Sequence, residues 1–392
     1  MWSVYSSFRT CQMMASCRSF SWRVVALTIF LVSVPLSSAP TSHSPPFRGI
    51  YAFGDSYTDT GNTQSSTGPT GFNYVSSPPY GTTFFHHPTN RYSDGRLVID
   101  FVAEALSLPY LPPYRKHTAD VSKGVNFAVA GCTAIPHDFF IRNNLTFDIT
   151  PESLQTQLQW FNKFLESQGC KGNSTRSKCR EILDDALIWV GEIGANDYAY
   201  TVGSSVSAKT IQNFAIESFT GFLQALLEKG AKYIVVQGLP QAGCLPLAMV
   251  LAPDTDRDSI GCVGSVSKQS YTHNMDIQAK INGFRIKFPH AVIVYADYWN
   301  AYHAIMINAS KYGFKERFKT CCGSGGGVYN FDPFAACGSA TSTSCKNPSQ
   351  YINWDGVHLT EGMYKVVSDM FLRGKFCHPP FNYLLGRKLH SG

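Results

Sequence analysis

Apolar and polar positions along the chain follow two rhythms. Short apolar runs at Ile50 to Phe53, Gly124 to Ala128, Ala186 to Val190, Tyr233 to Val236 and Ala291 to Tyr295 have the length and bounds of buried strands. Longer segments with helical spacing lie between them. Leu97, Val98, Phe101, Val102, Ala105 and Leu106 form one face, and Leu154, Leu158, Phe161 and Leu165 form another over Ser153 to Leu165. Ile211 to Glu228 reads as a helix that Gly230 ends in the place of a left-handed cap. Val266 to Phe288 stops before Pro289, and Tyr298 to Lys311 and Thr360 to Leu372 complete the set. Thr360 is placed to cap the last of these, with Met363 the first large apolar residue behind it. Strands alternating with helices predict a three-layer α/β/α domain around a mostly parallel five-stranded sheet. Such sheets bind ligands at the carboxyl ends of their strands.

The first 39 residues break this pattern. Arg18 and Arg23 precede an apolar run from Val24 to Val32, followed by the small residues Ser37, Ser38 and Ala39. That order predicts a secretory leader over 1–39, ahead of a single domain over 40–392. Met13 or Met14 is an alternative start, and the cleavage site stays open because Pro40 would follow a cut at Ala39. The run is too short for a span of about 20 residues, and nothing later resembles a transmembrane anchor. Export to the extracellular space is the expectation, with a vacuolar lumen as the other compartment.

Of 392 residues, 44% are apolar and 15% charged, enough for a large core. Loss of Arg9, Arg18 and Arg23 with the leader lowers the formal charge from +6 to +3. A chain so near neutral, without a Lys/Arg cluster, gives no reason to expect nucleic acid as a partner. Ten cysteines remain after the leader, which in an exported chain predicts disulfides. Cys170 and Cys179 flank one polar loop and Cys244 and Cys262 another, so both pairs are expected to close locally. The late cysteines, Cys321, Cys322, Cys337, Cys345 and Cys377, have no readable connectivity, and Cys132 sits in an apolar run as a buried free thiol. Paired CxxC spacing is missing, so a zinc site is not expected. Sequons at Asn144, Asn173 and Asn308 are candidate glycosylation sites.

The candidate chemistry begins at Gly49 to Asn62, where a short strand breaks at Gly54 and presents Asp55, Ser56, Asp59 and Asn62. A serine there is a nucleophile only if a base takes its proton. Asp355 and His358 supply a base and a group to orient it within one turn. Gly131 and Asn196, each after another strand, are candidate oxyanion donors: a backbone N–H unobstructed by a side chain, and a side-chain amide. Taken singly, each of these residues also fits an ordinary turn or Asx-turn. The glycine- and proline-rich loop from Thr63 to Arg91 has the length of a functional or mobile segment. Tyr74, Tyr80, Phe84 and Phe85 in it are candidates to line an acyl or phenolic pocket. His86 and His87 are expected in solvent or beside substrate, and His273 and His303 in core or surface roles. No GxSxG elbow is present, which disfavours the α/β-hydrolase fold.

Taken in order, the blocks FGDSYTDTGN (53–62), NFAVAGCTA (126–134), GEIGANDY (191–198), GCLP (243–246), CCG (321–323) and WDGVHLTEGMY (354–364) resemble the plant-type GDSL esterase/lipase family of the SGNH hydrolase superfamily. The GEIGANDY wording is similar to the sinapine-esterase and acetylesterase-like members. The resemblance implies a flavodoxin-like SGNH fold and a carboxylic ester hydrolase that needs no metal or organic cofactor. It implies Ser56, His358 and Asp355 as the catalytic triad, with Ser56, Gly131 and Asn196 forming the oxyanion hole. Asp55, Asp59 and Asn62 are then expected to brace the loop rather than react. Tyr57 stands where the family name has leucine, and Ala195 replaces a frequent glycine. Lipid, small-molecule and polysaccharide esters are all admissible substrates. Acyl transfer to an alcohol by the same triad, and a non-catalytic ester- or carbohydrate-binding role, remain as alternatives.

Overall fold

The computed structural model describes residues 45–145, 150–171 and 175–390. The predicted leader and the Asn173 sequon lie outside the described residues.

In chain order, β1 (Gly49–Phe53) leads through a long loop to α1 (Val98–Ala105) and β2 (Gly124–Asn126). Three helices follow, α2 (His137–Arg142), α3 (Leu154–Ser167) and α4 (Arg176–Leu183), before β3 (Ala186–Val190). The short α5 (Ala195–Ala199) and the long α6 (Ala208–Glu228) precede β4 (Tyr233–Gln237), and α7 (Pro246–Leu251) and α8 (Gly264–Lys287) precede β5 (Val292–Ala296). After α9 (Tyr298–Ile307) come β6 (Glu316–Thr320), β7 (Cys322–Gly323), β8 (Thr343–Ser344) and β9 (Tyr351–Asn353). The chain closes with α10 (Glu361–Leu372), β10 (Cys377–His378) and α11 (Phe381–Leu389).

The main sheet has the order β10-β5-β4-β3-β1-β2. All five predicted strands are present and parallel, and β10 adds a two-residue antiparallel edge. With only Cys377 and His378, β10 is too short to show a period in the sequence. The central strands alternate cleanly between two cores. Ile50, Ala52, Leu187, Trp189, Val235 and Val294 face one side, against α1, α9, α10 and α11. Tyr51, Phe53, Ile188, Val190, Ile234 and Ile293 face the other, against α3, α6 and α8. Strands buried on both faces read as continuous apolar runs, which is why they were visible in the sequence. The three-layer α/β/α fold follows.

Thr360 does cap α10, its hydroxyl accepting from the Met363 N–H at 3.2 Å. Gly230 follows α6 with φ +102°, in the left-handed region. The helices that went unpredicted, α2, α4, α5, α7 and α11, are five to nine residues long, too short for a firm helical period. Both local disulfides form, Cys170–Cys179 and Cys244–Cys262, and the late cluster pairs as Cys321–Cys345 and Cys322–Cys337. Cys132 and Cys377 are buried free thiols.

The loop after β1 is anchored along its length. Val75, Tyr80 and Tyr92 form a third core with Ala130, Trp354 and the disulfide cysteines Cys321, Cys322 and Cys337. That core is what holds β9 and the loop after it against the end of the main sheet.

Candidate active site

β2-β1-β3 places a change of strand order between β1 and its neighbours, and ligands collect at the carboxyl ends of such a crossing. The turn after β1 carries Ser56, the turn after β2 carries Gly131, and α5 after β3 carries Asn196. The loop after β9 brings in Asp355 and His358. Four of the six sequence blocks therefore arrive at one end of the sheet.

The histidine loop is built from its own backbone outward. The Trp354 N–H donates to the His358 carbonyl at 2.8 Å, closing the turn. One Asp355 carboxylate oxygen accepts from the Val357 and His358 N–H groups at 3.1 and 2.8 Å. The other lies 2.7 Å from His358 Nδ1. The Cys321 and Cys322 N–H groups donate to the Asn353 and Trp354 carbonyls, so the disulfide segment ties down this strand end. Burial pushes the Asp355 carboxyl up, but the adjacent His358 and the hydrogen bonds outweigh it, and the carboxyl sits below the usual range.

The turn that carries Ser56 is held from several directions. Gly54 adopts φ +138°, and a Cβ there would stand 3.2 Å from Gly191 Cα. Asp59 accepts from the N–H groups of Gly61, Asn62, Thr63 and Ala130. The Asn62 amide donates to the Asn126 and Ala128 carbonyls, both at 2.8 Å. Asp59 and Asn62 thus lock the turn of Ser56 to the strand end that carries Gly131, the bracing expected of them. Gly131 itself has φ +81°, a conformation a side chain would strain, and Tyr200 donates to its carbonyl at 2.6 Å. Asn196 Nδ2 reaches Asp55 Oδ2 at 3.1 Å and the Cys132 carbonyl at 3.0 Å.

The two halves meet through the neighbours of Ser56. The Tyr57 ring lies 5.8 Å from the His358 ring, and the Tyr57 hydroxyl donates to the Val357 carbonyl at 2.6 Å. Asp55 interacts electrostatically with His358. Ser56 and His358 are 6% and 3% exposed, so the site is a recess rather than an open surface.

Residues 50–371 match the model of the family described as GDSL-like Lipase/Acylhydrolase. The chain is 56% identical to the GDSL esterase/lipase At3g48460 of Arabidopsis thaliana over 373 residues, 93% of this chain and 96% of that one. It is 39% identical to the Arabidopsis thaliana GDSL esterase/lipase At1g28600, over 91% of this chain and 92% of that one. This chain belongs to the GDSL-like lipase/acylhydrolase family. It is accordingly a carboxylic ester hydrolase, as the resemblance of its sequence blocks implied. A catalytic mutant of the acetylxylan esterase Axe2 from Geobacillus stearothermophilus aligns at 11% identity with a TM-score of 0.37, over 83% of this chain and 93% of that one.

In this GDSL hydrolase several residues beyond the predicted set shape the site. Tyr80 is fully buried and donates to Asp355 Oδ2 at 2.8 Å, so it supports the carboxylate instead of lining a pocket. Of the other predicted pocket aromatics, Phe84 stacks under Arg96 and Phe85 under Arg91, while Tyr74 packs beside Gly338. Besides Tyr57, the aromatics that do wall the imidazole are Tyr92, with ring centroids 4.6 Å apart, and Phe72, edge-on at 5.4 Å. Gln157 on α3 is fully buried and pairs with both the N–H and the carbonyl of Gly54, at 3.0 and 2.7 Å. The signal for it was present: a polar residue on the apolar stripe of an amphipathic helix.

Tyr57 also exceeds its expected part, since its hydroxyl ties the turn of Ser56 to the histidine loop where a leucine would only pack. His86 and His87 are exposed. His273 is buried, hydrogen-bonded with Tyr198, and burial pushes it down to about 4, which makes it a neutral core residue. His303 is hydrogen-bonded with Gln241 at 3.0 Å. Burial pushes the Cys132 thiol well up, so it is inert despite its position. No group of three His, Cys, Asp or Glu among the described residues is arranged to hold a metal ion.

Proposed function

We propose that the protein is a secreted serine esterase that cleaves carboxylic esters through Ser56, His358 and Asp355. The observation that carries this reading is the buried Asp355–His358 pair, 2.7 Å apart and set against the turn of Ser56. Asp355 takes His358 Nδ1, which fixes the tautomer and leaves Nε2 to accept the Ser56 proton as Oγ attacks the acyl carbon. The carboxylate then stabilises the imidazolium, which protonates the departing alcohol. The acyl-enzyme is released by water that His358 activates in turn. The Ser56 and Gly131 N–H groups and the Asn196 amide hold the negative charge on the carbonyl oxygen. Every step uses side chains and backbone of this chain.

The leader-like order of residues 1–39 and four disulfides support export. Asn144 and Asn308 are exposed, as glycosylation acceptors must be. No helix among the described residues is long and apolar enough to cross a membrane. Substrates are esters of small molecules, lipids or polysaccharides. Purified protein should hydrolyse a short-chain nitrophenyl ester, and Ser56→Ala should lower kcat at least about 10³-fold. Turnover unchanged in Ser56→Ala would overturn the assignment.

A further inference from the structure

The register of the sheet brings a second carboxyl against the nucleophile turn. β1 and β3 run parallel with Phe53 opposite Val190, and the Gly191 N–H donates to the Phe53 carbonyl at 2.8 Å. Two residues beyond each of these strand ends come Asp55 and Glu192. Both are buried, at 1% and 0% exposure, and each carboxyl acts electrostatically on the other. Two buried carboxyls that act on each other cannot both be ionised, so the pair keeps one proton.

The surroundings say which one keeps it. Asp55 accepts from the Tyr57 N–H at 3.1 Å and from Asn196 Nδ2 at 3.1 Å, and His358 lies close enough to favour its charge. Among the described residues no N–H or hydroxyl reaches either Glu192 oxygen, which leaves Asp55 as its partner. The other ionisable groups acting on the pair are Asp59, Asp197 and Cys132, with Tyr57, Tyr298 and Tyr364; none is a cation. Burial pushes Asp55 up to about 6 and Glu192 well above the ordinary glutamate range. The charge therefore sits on Asp55 and the proton on Glu192.

We infer that Glu192, held as the neutral acid, is a positioning residue: its O–H donates to the Asp55 carboxylate, which holds the Asn196 amide in the oxyanion site. The inference rests on the reading of Asn196 as an oxyanion donor. Asn196 Nδ2 lies 3.1 Å from Asp55 Oδ2 and 3.0 Å from the Cys132 carbonyl; Asp55 holds one hydrogen and the other is the one an oxyanion takes over from Cys132, so the aim of this amide depends on where Asp55 is held. Without the Glu192 donor, a buried carboxylate is short of one hydrogen bond and shifts to recover it. An error of an ångström at this point costs about 10²-fold in rate.

Glu192→Leu and Glu192→Gln test this, with Ser56→Ala run beside them on the same nitrophenyl ester. Glu192→Leu should lower kcat roughly 10- to 100-fold with KM within about threefold, because the lost interaction matters only as charge develops. Glu192→Gln, whose amide N–H also donates, should recover kcat to within about fivefold of wild type. The proton itself is read by thermal unfolding across pH 5 to 8. A carboxyl raised in the fold stabilises it only while the proton stays bound, so wild type loses this contribution as pH rises above about 4.3. Glu192→Gln cannot ionise, and its Tm should gain on that of wild type steadily from pH 5 to 8. If Glu192→Leu does not fold, the glutamine variant still decides. Wild-type kcat in Glu192→Leu, or a Tm difference for Glu192→Gln that is flat with pH, would overturn the inference. Loss of activity in Ser56→Ala beside an unaffected Glu192→Leu would overturn it alone; activity retained in Ser56→Ala would overturn the esterase mechanism instead.

Discussion

Asp355 and Asp55 are buried carboxyls that both act on the His358 ring, and the protein treats them in opposite ways. Asp355 accepts two backbone N–H groups, the imidazole Nδ1 and the Tyr80 hydroxyl. Burial works against its charge, yet His358 and these donors win, and it lies below the usual carboxylate range. Around Asp55 burial wins. Asp55 is pushed up to about 6, Asp197 to about 7 and Glu192 further, and among the described residues none of the three forms a salt bridge with a Lys or Arg. The difference teaches where this fold spends negative charge. Full charge is fixed beside His358, opposite the imidazolium of the proposed mechanism. On the side of Ser56 and Asn196, the proposed nucleophile and oxyanion donor, Asp55 and Glu192 share a single charge and alignment comes from backbone and amide contacts.

Breaking the charged side should have the largest effect. Asp355→Asn keeps the shape of the side chain but removes the carboxylate 2.7 Å from His358 Nδ1, the group proposed to select its Nδ1–H tautomer. Measured on a nitrophenyl ester, kcat should fall roughly 10³- to 10⁴-fold with KM little changed. A loss below about tenfold would mean that the carboxylate does not orient the base.

On the other side the sharpest probe is Gln157, which joins α3 to Gly54 through two hydrogen bonds. Gln157→Leu conserves volume and leaves the buried Gly54 N–H without its partner, at about 1–3 kcal/mol, while the Gly54 carbonyl keeps the Val129 N–H at 3.2 Å. Denaturant unfolding should show a loss of roughly 1–3 kcal/mol, with the m-value unchanged. A stability equal to wild type would show that the turn of Ser56 does not rely on α3.

How far each side was legible follows from the same contrast. The proposed nucleophile, base and oxyanion donors sit in short blocks after strands, and strands buried on both faces announce themselves as apolar runs. Tyr80 was read as a pocket aromatic because its partner, Asp355, lies 275 residues away and no local pattern links them. Glu192 was quoted inside a block yet given no role, because its meaning depends on the pairing of Phe53 with Val190. The late disulfides were unreadable for a related reason. Adjacent Cys321 and Cys322 point to different partners, which sequence spacing alone does not separate. Short-range chemistry was visible; chemistry made by register and by crossing loops was not.

Tyr80→Phe offers the finest test, because it removes one hydroxyl and leaves the ring in its core of Tyr92 and Trp354. A hydrogen bond to a charged acceptor contributes about 1.5–3 kcal/mol. The His358 contacts remain, so kcat should fall only about tenfold. The stability change carries a sign that depends on pH. Asp355 is depressed in the fold, so its contribution is present above the unfolded pKa of about 3.9 and is lost as pH falls through the folded value. The Tyr80 hydroxyl strengthens the ionised form, so the gap between wild type and Tyr80→Phe should be widest near pH 7 and close below pH about 4. The neighbouring acids move the other way: Asp55 and Asp197, raised to about 6 and about 7, stabilise the fold at low pH and lose that contribution as pH rises. A gap that stays constant from pH 3 to 7 would mean that Tyr80 only fills space. A gap that closes on acidification would show it supporting the ionised form of Asp355.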